Sequence, residues 1–186
     1  MQMGKKSLKI LYSGPYSEHY GMHLIFNADF DRWLKETNSF ICFVGHHGVI
    51  HIEGLDLFSC LTSVNYQFLG YLSDDRYFQE LDSVDLGLSL QSPRRLRTNY
   101  PSKFFEYSRH QVVCLSSIDM CLPDHLNLLY PKMSRYSTTA LINALEDVRW
   151  NWSSWELKAM QLSKSLSETY HYERIGLELH SFMMQE

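Results

Sequence analysis

A chain of 186 residues with 17 basic and 21 acidic side chains is long enough for one domain with a sizeable core and too short for two Rossmann-like domains. Its net charge of −4 gives no bulk electrostatic support to a nucleic-acid partner. No window approaches the ~20 apolar residues needed to span a bilayer, and the start, MQMGKKSLKI, lacks the apolar core of a signal peptide.

In chain order, Leu8 to Ser13 is a short apolar run stopped by Gly14 and Pro15, the pattern of a buried strand entering a turn. Tyr20 to Thr37 follows with Leu24, Ile25, Ala28, Trp33 and Leu34 at helical spacing. Phe40 to Val44 predicts a second buried strand, closed by Gly45, and a loop with a short helix around Leu55 to Leu61 comes next. Val64 to Leu69 predicts a third strand ending at Gly70, then Asp74 to Leu81 a helix, and Val84 to Leu90 a fourth strand. Apolar strands alternating with helices predict a parallel sheet covered on both faces, whose ligands gather at the carboxyl ends of the strands. Those ends carry Gly14, Gly45, Gly70 and the loop after Leu90.

The segment Arg94 to Ser117 concentrates the chemistry. Pro101 suits a first helical turn, so PSKFFEYSRH predicts a helix capped at Asn99 or Tyr100, and Gln111 to Ser117 a fifth strand. A helix N-terminus presents unpaired N–H groups and the positive end of its dipole, and Arg94, Arg95, Arg97 and Lys103 crowd the same few residues. Together they would hold an anion, a phosphate above all. A carboxylate at Glu106 can accept two hydroxyl hydrogen bonds of the kind a ribose offers. The plainer alternative is a solvated basic loop followed by a surface glutamate.

From Ser137 the chain predicts helices: TTALINALEDV, WELKAMQLSKSL and YERIGLELHSFM. Trp150, Trp152 and Trp155, lying between the first two, predict a packing knot. The four cysteines stand far apart, with Cys42 and Cys114 inside apolar runs, which predicts reduced core residues and a cytoplasmic setting. The histidines His19, His23, His46, His47 and His51 form no set with metal-ligand spacing, and Asp29 and Asp31 fall within a helical pattern, so no metal is expected. Neither GxSxG, HExxH, a P-loop nor GxGxxG occurs, which leaves esterase, zincin, NTPase and dehydrogenase readings without an anchor.

The order of LYSGPYSEHYG, FICFVGHHG, VNYQFLGYLSDDRYFQEL, SVDLGLSL and NYPSKFFEYSRHQVVCLSS resembles the C-terminal, donor-binding domain of GT-B fold glycosyltransferases, of the retaining, group 1-like type. The resemblance covers nearly the whole chain, and PSKFFEYSRHQVV is its most specific part. It implies a single Rossmann-like α/β domain over residues 1–186, with 137–186 as its helical C-terminal part. The implied activity is transfer of a sugar from a nucleoside-diphosphate sugar to an acceptor, in polysaccharide biosynthesis, with no cofactor beyond that substrate. It further implies an N-terminal acceptor-binding domain or separate subunit, no nucleic acid, and peripheral membrane association only through the full enzyme.

By the same resemblance Glu106 would bind the ribose hydroxyls, and the main-chain N–H groups of Ser102 and Lys103 the diphosphate. The backbone of Tyr71 and Leu72 would hold the base edge, and Gly14 would let the chain pass close to the phosphates. Where such domains carry an arginine, a lysine and an earlier glutamate, this chain has Pro15, Tyr20 and Thr98. Arg97 and its neighbours would replace the missing charge, since phosphate recognition needs cations within reach rather than at one fixed position. The departures also motivate an alternative: a non-catalytic interaction domain that retains the fold. The catalytic residues are not assigned by either reading. In domains of this type the last helix crosses toward the acceptor half, so an exposed apolar strip drawn from Ile175, Leu177, Leu179 and Phe182 is expected.

Overall fold

The five apolar runs form five parallel strands: β1 (Lys9–Ser13), β2 (Phe40–Val44), β3 (Tyr66–Gly70), β4 (Leu86–Ser89) and β5 (Val113–Ser116). The structure is a computed structural model and describes residues 5–45, 64–93, 102–117 and 122–169. The strands lie in the order β3-β2-β1-β4-β5, so the first strand of the chain is the middle of the sheet. β1, β4 and β5 are buried almost throughout, as a parallel sheet covered on both faces requires.

Strand alternation sorts the side chains into two cores. Ile10, Ile41, Phe43, Leu86, Leu88 and Leu115 face one layer with Phe26, Phe30, Leu141 and Leu145. Leu11, Cys42 and Cys114 face the other with Tyr77, Leu81, Phe104, Tyr107 and Leu162. Phe43 stacks on Phe68 at 4.8 Å between ring centroids and on Phe26 at 5.2 Å, which fills the first core at the β2–β3 side. Cys42 and Cys114 are free and buried, and burial pushes the Cys42 thiol up to about 11, so these sulfurs act as packing groups.

The predicted elements shift in ways that follow from side-chain chemistry. Instead of one helix from Tyr20 to Thr37 there are a 3-10 turn (Glu18–Tyr20), α1 (Met22–Ile25) and α2 (Ala28–Thr37). Asn27 makes the break: its Oδ1 accepts from the Phe30 N–H at 3.0 Å, capping α2, while its Nδ2 donates to the His23 and Leu24 carbonyls that close α1. β3 starts at Tyr66 rather than Val64, which is 95% exposed. β3, one of the two edge strands, buries only its ends, so the expected cover on both faces fails there, whereas the other edge strand, β5, is buried throughout. β5 begins at Val113 because Gln111 takes a left-handed turn with φ 61° after the helix.

The other helices among the described residues are α3 (Asp74–Ser83), α4 (Ser102–Arg109), α5 (Asp124–Asn127), α6 (Thr138–Trp150) and α7 (Trp152–Thr169). Ser137 caps α6 by accepting from the Ala140 N–H at 3.2 Å. α7 lies against α4 and β5, closing the second core. Among the described residues no helix is long and apolar enough to cross a membrane. The predicted helix at Leu55 to Leu61, the cluster Arg94 to Arg97, and the strip from Ile175 to Phe182 lie outside the described residues.

The three tryptophans do not form a knot. Trp152 and Trp155 pack half-buried on the first core, whereas Trp150 is exposed. The Lys6 ammonium lies 3.8 Å over Trp152, Lys5 lies 4.3 Å over Trp150, and Lys158 lies 4.0 Å over Trp155. Lys6 also pairs with Asp85 at 2.8 Å, and its carbonyl accepts from Arg149 Nε at 2.7 Å. The segment entering β1 is thereby stitched to α6, the start of α7 and the turn before β4.

Glu146 joins this network by accepting from Trp33 Nε1 at 2.7 Å and pairing with Arg149. Burial pushes its carboxyl up, but the hydrogen bonds from Trp33 and Arg149 and the charges of Arg149 and Lys5 outweigh that and hold it below the ordinary value. A depressed carboxylate stabilises the fold above its unfolded pKa, about 4.3 for glutamate, and that contribution is lost as pH falls through the lower folded value. Urea unfolding of the protein and of Glu146→Gln should therefore differ most at pH 7, and the gap should shrink as the pH falls below about 4.3. A gap independent of pH would show that the carboxylate charge contributes nothing there.

Candidate functional site

β2 and β3 lie on one side of β1, while β4 and β5 lie on the other, so strand order reverses between β1 and β4. In open parallel sheets a crevice forms at the carboxyl ends where this happens. Here it is a cavity of about 320 Å³, walled by Tyr12 to Pro15 after β1, Leu88 to Gln91 at the end of β4, Tyr20, and Ser102 with Lys103 of α4. Gly14 turns the chain at the rim with φ +150°, a conformation that favours glycine, and its N–H donates to the Val44 carbonyl at 3.1 Å.

Two contacts lock α4 to the strands below it. The Tyr107 ring lies over Gly87 of β4 so closely that a Cβ there would meet it at 2.4 Å. The Tyr107 hydroxyl accepts from the Ser13 N–H at 3.1 Å, tying the helix to the end of β1. Ser102 and Lys103, the first residues of α4, are held at the cavity with the helix's unpaired N–H groups and positive dipole end.

Lys103 is half-buried, with Nζ 2.7 Å from Glu106 Oε2, 3.4 Å from the Tyr77 hydroxyl and 4.8 Å from the centre of the Tyr77 ring. Burial pushes the Tyr77 phenol well above its ordinary value, with the neighbouring Glu106 charge adding to the effect, so it stays neutral. Tyr12 likewise remains protonated by burial and donates to the Pro15 carbonyl at 2.7 Å, bracing the turn after β1. Burial pushes Tyr16 up to about 12.

The cavity therefore brings together Gly14, Ser102 and Lys103. Glu106 stands behind the wall, one turn into α4 and ion-paired to Lys103. Tyr71 and Leu72 follow β3 at the sheet edge, on the far side of β2 from the cavity; the Tyr71 side chain is 76% exposed and Leu72 packs on the second core. Arg97 lies outside the described residues.

Ser89, a polar side chain at the end of an otherwise apolar strand, went unnoticed in the sequence, and Gln91 was marked only as part of the loop after Leu90. That interruption of VDLGLSL was the available signal. Among the described residues no group of three or more His, Cys, Asp or Glu side chains could hold a metal. His23 packs edge-on against Tyr136, and Asp29 and Asp31 pair along α2 with Arg32 and Lys35.

No family model and no curated protein matches the chain by sequence. Solved structures do match by shape. A structure of Anabaena Alr3699/HepE in complex with UDP superposes with a TM-score of 0.76 at 14% identity, covering 97% of this chain and 49% of that one. Sucrose-phosphate synthase from Thermosynechococcus elongatus gives 0.68 at 11% identity, over 98% of this chain and 46% of that one. The C-terminal domain of the group 1 family glycosyltransferase LpcC from Francisella tularensis gives 0.64 at 11% identity, over 88% of this chain and 86% of that domain. The chain has the fold of the C-terminal half of a GT-B glycosyltransferase, and it spans about half the length of HepE.

Proposed function

We propose that this chain is the donor-binding half of a glycosyltransferase, holding a nucleoside-diphosphate sugar for transfer to an acceptor. The observation that carries this reading is the convergence of the α4 N-terminus, Lys103 and Gly14 on one cavity at the reversal of strand order. In this proposal the diphosphate lies against the N–H groups of Ser102 and Lys103, Gly14 leaves room for it, and Glu106 accepts from the ribose. Tyr71 and Leu72 meet the base edge through their backbone, and Arg97 adds charge from the loop before α4. HepE, solved with UDP and with UDP-glucose, supports the ligand class.

An acceptor-binding half, on the same polypeptide or a separate one, completes the enzyme in this reading. The 49% coverage of HepE supports it, because transfer in the two-domain fold takes place between the halves. The rival reading, an interaction domain that keeps the fold without the activity, draws on Pro15 and Tyr20, uncharged residues on the cavity wall.

A thermal-shift titration with UDP, GDP and ADP separates the two. A ligand specific for the native state raises Tm by mass action, so about 100 Kd of the right nucleotide should add roughly 2.7 kcal/mol of stability. One of the three is expected to do this in a saturable way. No shift with any of them would favour the interaction domain.

A further inference from the structure

The Lys103 side chain at the cavity wall is held from two helices. On its own helix Glu106 Oε2 lies 2.7 Å from Nζ, and from α3 the Tyr77 ring lies under the same ammonium, 4.8 Å from ring centre to Nζ. The Tyr77 hydroxyl is 3.4 Å from Nζ, long for a hydrogen bond, so the face of the ring is the stronger contact. Tyr77 is itself fixed: it is buried in the second core with Phe104 and Tyr107, and its N–H donates to the Ser73 carbonyl at 2.8 Å.

A lysine stem is long and flexible, and freezing it against a ligand costs affinity. The Glu106 pair removes little of that cost, because a pair spaced three residues apart on one helix is weak. The Tyr77 ring adds a contact from a second element, which fixes where the ammonium stands relative to the sheet. We propose that Tyr77 is a positioning residue: it holds the Lys103 ammonium at the cavity wall in advance of an anionic ligand and so raises the affinity of the site for phosphate groups. This rests on the donor-binding reading and deepens it. Tyr77 does not line the cavity and acts only through Lys103, so α3, which follows the edge strand β3, tunes a site that it does not touch.

The test titrates inorganic pyrophosphate, with UDP, GDP and ADP alongside, into the protein, Tyr77→Phe, Tyr77→Leu, Lys103→Ala and the combined Tyr77→Leu and Lys103→Ala variant. Tyr77→Leu should weaken pyrophosphate binding by about fivefold, and Tyr77→Phe, which keeps the ring face, by less than about twofold. In the Lys103→Ala background Tyr77→Leu should change nothing, because the ammonium through which it acts is gone. NMR gives a readout without any ligand. The Lys103 ε-methylene protons, assigned by their loss in Lys103→Ala, adjoin a nitrogen that lies over an aromatic face, so they should resonate upfield in the parent and in Tyr77→Phe but not in Tyr77→Leu. Equal pyrophosphate affinity in the parent and Tyr77→Leu, the same loss with and without Lys103, or no upfield shift in the parent overturns the proposal, and if a nucleotide still binds the donor reading survives it. If pyrophosphate follows the expected pattern and no nucleotide binds, the donor reading fails and the role of Tyr77 stands. If neither pyrophosphate nor a nucleotide binds, both fail.

Discussion

Gly87→Ala should destabilise the domain by about 3 kcal/mol or more, lowering Tm by roughly 10 °C. The added methyl would lie 2.4 Å from the Tyr107 ring, well inside contact distance, and that ring has no room to move: it is fully buried and its hydroxyl is held by the Ser13 N–H. Either α4 lifts from the sheet or Tyr107 leaves its rotamer, and both displace the turn that carries Gly14. Tyr107→Leu alone strands the buried Ser13 donor, for about 1–3 kcal/mol. In that background Gly87→Ala should cost much less than in the parent, because the two positions share one space. Urea unfolding of the four proteins measures the coupling. A cost below about 1 kcal/mol for Gly87→Ala, or the same cost with and without Tyr107, would sink the claim that this contact seats the helix.

In the proposed donor site, Glu106→Ala should weaken nucleoside-diphosphate binding by roughly tenfold or more, with Glu106→Gln falling between it and the parent. The ion pair makes the readout two-sided. Glu106 holds the Lys103 ammonium at 2.7 Å, so removing the carboxylate deletes a ribose acceptor and at the same time releases a cation beside the diphosphate. Inorganic pyrophosphate, which has no ribose, separates the effects. Its affinity should hold or rise in Glu106→Ala and fall by roughly tenfold in Lys103→Ala, the loss of one charge-assisted hydrogen bond. Unchanged nucleotide affinity in Glu106→Ala takes the carboxylate out of the site. Parallel losses of nucleotide and pyrophosphate would mean that it acts only by positioning Lys103.

The strands were legible because burial on both faces leaves little choice of residue: FICFV and VVCLS read as interior strands from composition alone. What broke the helical run at Asn27 was not periodicity but one amide side chain serving two helices, a local hydrogen-bond solution that apolar spacing does not encode. The α4 N-terminus, Lys103 and Gly14 could be placed at the sheet's carboxyl edge from turn signals and chain order. The Lys103–Glu106 pair was implicit in their spacing of three, yet its consequence, a carboxylate turned to the lysine and off the cavity wall, needed the packing of Tyr77 to become visible. Ser89 escaped notice because a serine at a strand end ordinarily faces water, and only its burial in the fold shows otherwise.

The stitching of the β1 entry segment bears on how the chain reaches this fold. The Lys9 N–H donates to Asp85 across 76 residues, and Arg149 Nε reaches the Lys6 carbonyl across 143. Of the five strands of the sheet the central one thus emerges before the others, yet its β4 neighbour and its Arg149 clasp follow only much later. Contacts this distant in sequence slow folding, because loop closure precedes any energetic return. A nascent chain that has reached only β3 holds β1 with one edge unpaired, the kind of exposed template on which other chains can assemble.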